Sequence, residues 1–183
     1  MSGKIVYIKF FTEIDKNSIK SLMNIIEQKL REETTKFVIL ISSSGGNVFA
    51  GVTGYNFLKG IPAEVETHNF GSAISIALVL FCAGKKRLSV PHATFLLHGV
   101  QANFQQGAAL EEKQLEERLK GLKLDMENIA GIIAANTGKS EQEVMKAMLE
   151  RTTLNPEEAL KFGLVHEIKE PLFEKGAEIV SIQ

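Results

Sequence analysis

Two hydrophobic periods alternate along this chain. Lys4 to Phe10 is rich in β-branched and aromatic residues and predicts a strand. Between Asp15 and Leu30, apolar residues fall at Ile19, Leu22, Met23, Ile26 and Leu30, the spacing of one helical face. Lys36 to Ser42 is a continuous apolar run, which reads as a strand covered on both faces, as in a parallel sheet. A double glycine follows, then a helix from about Val48 to Leu58, which Gly60-Ile61-Pro62 breaks. Ala63 to Asn69 alternates as a strand. Gly71 is expected to start a turn into a buried helix that carries Ser75. Two short strands are expected around Lys86–Val90 and Thr94–His98.

The longest predicted helix spans about Gln106 to Asn136. Leu115, Leu119, Leu122, Met126, Ile129 and Ile133 recur at steps of four and three, an apolar seam through a charged sequence. Glu111 to Lys120 is mostly charge around sparse leucines, so the first half of this helix is expected to meet a partner; a solvated face on an intrachain helix is the other reading. Asn136-Thr137-Gly138 ends it, and Ser140 to Glu143 forms a capping box for the next helix. Asn155-Pro156 opens a short helix that Gly163 closes. Leu164 to Ile168 reads as a strand, and the tail to Gln183 as a possible edge strand. Strand and helix alternate throughout, which makes the class α/β, with 1–183 expected to form one domain.

Composition narrows the function. The chain has 183 residues and a formal net charge of −1, so no basic surface argues for nucleic acid or anionic lipid. The longest apolar run, Ala73 to Ala83, falls far short of the ~20 residues of a membrane span. The single cysteine, Cys82, lies inside that run, where packing is its expected role and a reducing compartment its expected setting. No signal peptide is visible at the start, so a cytoplasmic location is expected.

The candidate chemistry lies in three places. Gly71-Ser72-Ala73-Ile74-Ser75-Ile76 places a hydroxyl at the start of a buried helix, where free N–H groups gather. Ser43-Ser44-Gly45-Gly46 is a glycine loop running into another helix, and Phe95-Leu96-Leu97-His98 ends a strand with an imidazole. A hydroxyl, an imidazole and aimed backbone N–H groups are the parts of an acyl-transfer site. The N–H groups of Gly46 and Ile76 are the candidate oxyanion donors. Each part also has a structural reading: a packed serine, a core histidine, a plain turn. Gly71-x-x-x-Ser75 is not the G-x-S-x-G elbow. The glycine loop lacks the G-K-[ST] of a phosphate loop, and no His, Cys and Asp cluster has metal spacing. His68, His92 and His166 show no partner pattern and read as surface or structural. No cofactor and no metal are expected.

Taken together, these segments resemble the proteolytic subunits of Clp protease, in the wider ClpP/crotonase superfamily, from about Lys4 to Ile168. The family's S-P-G-G loop is similar to Ser43-Ser44-Gly45-Gly46, with serine for proline. Its G-x-A-A-S-M segment is similar to Gly71 to Ile76, which makes Ser75 the matching nucleophile. Ala83-Gly84-Lys85-Lys86-Arg87 echoes A-G-x-x-x-K-R. His98 matches the histidine of M-x-H-Q-P, although Gln-Pro has become Gly99-Val100. The long helix resembles the handle through which two rings of subunits meet, and Glu158 to His166 resembles the closing E-A-x-x-Y-G-L-V-D.

The resemblance implies a ClpP/crotonase-like fold with a handle-type helix, and a serine peptidase assembled as a homo-oligomeric ring or double ring. Two departures qualify it. The family's acid, in E-R-D, falls on Arg151 or, with a gap, on Thr152; Glu150, Thr152 and Asn155 are the possible third members beside Ser75 and His98. The family's segment before the first strand, which meets the ATP-driven unfoldase, has no counterpart before Lys4. An ATPase partner is therefore not expected, and the expected substrate is a peptide or an unfolded segment of protein. Two rival readings remain. One is a crotonase-type enzyme of acyl-CoA thioesters; the other is a non-catalytic assembly subunit.

Overall fold

The computed structural model describes residues 3–101 and 109–182. Among the described residues eight strands form one sheet in the order β6-β5-β3-β2-β1-β8, with β4 joined to β3 and β7 to β4. The strands are β1 (Lys4–Phe10), β2 (Thr34–Ser43), β3 (Glu64–Ile74), β4 (Lys86–Ser89), β5 (Thr94–Leu96), β6 (Thr153–Leu154), β7 (Glu167–Ile168) and β8 (Glu178–Ile182). The helices are α1 (Lys16–Arg31), α2 (Val48–Gly60), α3 (Ile76–Phe81), α4 (Glu112–Thr137), α5 (Glu141–Leu149) and α6 (Pro156–Phe162). Among the described residues every strand pair is parallel except β5 with β6.

The sheet is parallel because helices carry the chain between its strands. Residues 37–43 of β2 are buried without interruption, as its unbroken apolar run predicts. α1 turns Ile19, Leu22 and Ile26 inward and begins at a capping box in which Asp15 accepts from the Ser18 N–H at 2.7 Å. The tail does form an edge strand, β8, parallel to β1.

β3 decides the position of the site. The alternating pattern predicts a strand ending at Asn69, but the strand runs on to Ile74. Its first half pairs with β4 and its second half with β5, in the register Ser72↔Thr94 to Ile74↔Leu96. Gly71 therefore lies inside a strand and does not begin a turn. The helix after it, α3, is buried at every position, and the Phe81 ring packs edge-on against Phe95. Cys82 follows it, fully buried, with its thiol pushed up to about 11 by desolvation, so it is an apolar filler and not a nucleophile.

α4 has two characters. Ile129, Ala130, Ile133 and Ala134 are buried in the core, whereas every residue from 111 to 121 is exposed. The helix begins at Glu112; the start expected at Gln106 lies outside the described residues. Among the described residues no helix is long and apolar enough to cross a membrane.

Candidate active site

Ser75 occupies the single residue between β3 and α3, with φ +58° and ψ −128°. L-residues rarely adopt this conformation, which costs about 1–3 kcal/mol and persists only where the surroundings impose it. Here the Ser75 N–H donates to the Leu96 carbonyl at 2.9 Å, and the Ser75 carbonyl accepts from the Leu78 N–H at 2.9 Å. Ala73 and Ile76, on either side, are buried. The result is a sharp strand-to-helix turn with the serine at its tip, an elbow without the G-x-S-x-G sequence. Although Ser75 is the N-cap residue of α3, its hydroxyl makes no capping bond. The usual structural use of a serine at this position is therefore absent.

The glycine loop lies against this turn. Gly45 and Gly46 have φ of +94° and +143°, a region that favours glycine. A Cβ on Gly45 would come within 2.7 Å of the Ile74 carbonyl oxygen and 2.9 Å of the Ser75 Cβ. A Cβ on Gly46 would overlap the Ile14 carbonyl. Ile14 fixes the loop, donating its N–H to the Gly45 carbonyl at 2.8 Å and accepting from Asn47 at 2.7 Å. That bridge leaves the Gly46 N–H outside it. Ile76 is the first residue of α3, a position whose N–H has no intrahelical acceptor.

Ser75, Gly46 and His98 line one cavity of about 280 Å³, with Ser44 and Gln101 among its polar residues. Leu78, Leu97, Val100, Ile129, Ile133 and Met148 are among its apolar ones, so α4 and α5 both contribute. His98 lies two residues past β5 and is half-buried. Its Nδ1 is 2.8 Å from the Gly99 carbonyl oxygen. A carbonyl only accepts, so Nδ1 is the donor in this contact, and in the neutral ring Nε2 then carries the lone pair. Among the described residues, no hydrogen bond joins His98 to the Ser75 hydroxyl or to a carboxylate.

The third-member candidates are placed differently from one another. Glu150 ends α5, exposed, with Lys146 3.9 Å away. The Asn155 side chain accepts from the Glu158 N–H at 2.9 Å and so caps α6. Thr152 lies closest along the chain pairing: its carbonyl accepts from the Leu97 N–H at 2.9 Å. The pairing ends there, because the N–H groups of Thr152 and Arg151 donate to the Ala147 and Met148 carbonyls of α5. Arg151 itself has φ +54°.

The remaining histidines are elsewhere. His68 is buried in β3, with Nε2 3.0 Å from the Lys169 carbonyl oxygen. His166 belongs to a joint that the sequence reading did not find. The buried Arg87 guanidinium donates to the carbonyls of Leu164, Gly84, Asn136 and Gly163, tying α4 to the end of α6, and the Arg87 backbone N–H donates to His166 Nδ1 at 3.2 Å. Among the described residues no group of His, Cys, Asp and Glu could hold a metal ion.

With this geometry in view, the comparisons fall in one direction. A family model described as Clp protease matches residues 4–171. The ATP-dependent Clp protease proteolytic subunit of Deinococcus radiodurans is 29% identical over 154 residues, 83% of this chain and 72% of that one. In fold, the chain is similar to a ClpP1 mutant from Listeria monocytogenes, with a TM-score of 0.82 and 24% identity over 90% of this chain and 91% of the other. The chain belongs to the Clp protease family. Its class is that of the ClpP-like serine-type endopeptidases, which are hydrolases.

Proposed function

We propose that the chain hydrolyses peptide bonds through Ser75 and His98. Ser75 Oγ attacks the scissile carbonyl while His98 Nε2 takes its proton. The same nitrogen then protonates the leaving amine, and water releases the acyl group by the reverse sequence. The N–H groups of Gly46 and Ile76 hold the oxyanion. The observation that carries this reading is the strained Ser75 turn, whose hydroxyl does no capping and which shares one cavity with His98 and Gly46.

The substrates are peptides or unfolded segments. The cavity, about 280 Å³, is just smaller than the ~300–1,000 Å³ of ligand pockets and suits a side chain flanking the cleaved bond. Its apolar residues favour an apolar side chain there. The glycine loop lacks the G-K-[ST] of a phosphate loop, and the reaction proceeds without ATP. The working form is a homo-oligomeric ring, paired through the first half of α4. Leu115, Leu119 and Leu124, 49%, 53% and 55% exposed, are apolar contacts available on that stretch.

Labelling with a fluorophosphonate, followed by peptide mapping, tests the assignment. A single adduct on Ser75, absent in Ser75→Ala, is the expected result. An unlabelled, assembled protein would overturn it and favour a non-catalytic subunit.

A further inference from the structure

Catalysis by Ser75 and His98 needs the histidine in one tautomer, and among the described residues no carboxylate bonds to it to enforce that. We propose that the Gly99 carbonyl oxygen is the positioning group that holds His98 in the Nδ1–H form. This rests on the roles given above to Ser75 and His98. Through the whole cycle the Nδ1 proton stays in place, donated to Gly99. Only Nε2 exchanges a proton, taking it from the Ser75 hydroxyl and giving it to the leaving amine.

Three observations support the assignment. First, the contact is short, 2.8 Å, and its direction is fixed because the oxygen can only accept. Second, the side chains suited to the task are committed or unbonded to His98: Asn155 caps α6, Glu150 is exposed near Lys146, and among the described residues no hydrogen bond joins Thr152 to the imidazole. Third, the residues on either side of the carbonyl are packed. Gly99 lies against α4, where a Cβ would come 3.4 Å from Met126 Sδ, and Val100 forms part of the cavity wall. No proline follows Gly99, so its backbone escapes the restriction a proline places on the preceding residue.

The chemistry sets the size of the effect. A neutral carbonyl fixes orientation and tautomer as a carboxylate does, but it gives the imidazolium only a dipole instead of a full charge. The larger loss that follows from the wrong tautomer, ~10⁴-fold in a serine protease, is avoided. A slower but real peptidase results.

Two measurements decide it. In protein labelled with ¹⁵N-histidine, and assigned with a His98→Gln variant, the neutral His98 ring is expected to show a protonated Nδ1 and an unprotonated Nε2. This readout needs no turnover. The second replaces Val100 by its α-hydroxy analogue, turning the 99–100 amide into an ester. The change weakens the Gly99 oxygen as an acceptor and removes an N–H that bonds to no described residue. The expected result is a fall in kcat on the order of 5- to 10-fold, the worth of one neutral hydrogen bond. KM should be almost unchanged, and the acid limb of the pH profile should move to lower pH. An Nε2–H ring in the wild type, or an ester variant with unaltered kcat and pH profile, would overturn the proposal. An Nδ1–H ring in a protein that neither turns over peptide nor labels at Ser75 would instead overturn the peptidase reading, and the positioning role with it.

Discussion

Two histidines in this fold make the same kind of bond and, on the proposed function, serve opposite tasks. His68 and His98 each give one ring N–H to a backbone carbonyl, at 3.0 and 2.8 Å. His68 uses Nε2, is 1% exposed inside β3, and has its pKa lowered, chiefly by desolvation. His98 uses Nδ1, lies beyond the end of β5, and shares a cavity with Ser75. One imidazole is closed into the sheet, and the other keeps its basic nitrogen without a described partner. The difference teaches that neither residue type nor hydrogen-bond count marks a working histidine. What matters is which nitrogen is occupied and what faces the other.

The sharpest way to break the comparison is to exchange consequences. His98→Ala is expected to lower kcat/KM by about 10³-fold or more while leaving the denaturation midpoint nearly unchanged, since on the proposed function it removes the base at a half-buried position outside the strands. Peptide kinetics and urea denaturation on one preparation check it. A large stability loss with retained turnover would make His98 structural.

His166 sharpens the same contrast from the structural side, because its partner Arg87 is buried and holds four carbonyls. Arg87→Ala strands those carbonyls and is expected to cost about 3–5 kcal/mol, measured as a lower urea midpoint. Ser75 reactivity should persist wherever the variant remains folded.

The smallest effect is on pH dependence. The folded-state pKa of His68 lies below its ordinary 6.5, so below that pH the unfolded chain takes up a proton that the folded one resists. Its contribution to stability is full above pH 6.5 and is lost as the pH falls through the lowered folded value. His166, lowered by desolvation and by Arg87, pulls the same way. Denaturation midpoints at pH 7.5 and 5.5 should therefore differ less in His68→Gln than in the wild type. An unchanged difference would remove His68 from the account.

Much of this was legible in the sequence. The parallel sheet follows from the apolar run in β2, the helix boundaries from Ser140, Asn155 and Gly163, and the edge strand from the alternating tail. Ser75, His98 and the glycine loop stood out as parts of one chemistry, and the structure sets them around one cavity. The elbow was not legible, because φ +58° at Ser75 is imposed by Leu96 and the glycine loop from distant parts of the chain, not by neighbouring residues. The Gly99 carbonyl carries no side-chain signal. The Arg87 cage is built from backbone oxygens far away in sequence, which no local motif encodes.

The most direct test of the central claim is hydrolysis of short fluorogenic peptides by assembled protein without ATP, comparing wild type with Ser75→Ala. The account predicts measurable turnover in the wild type that falls to background in the variant. Equal rates in the two proteins, or none in the wild type, would contradict it.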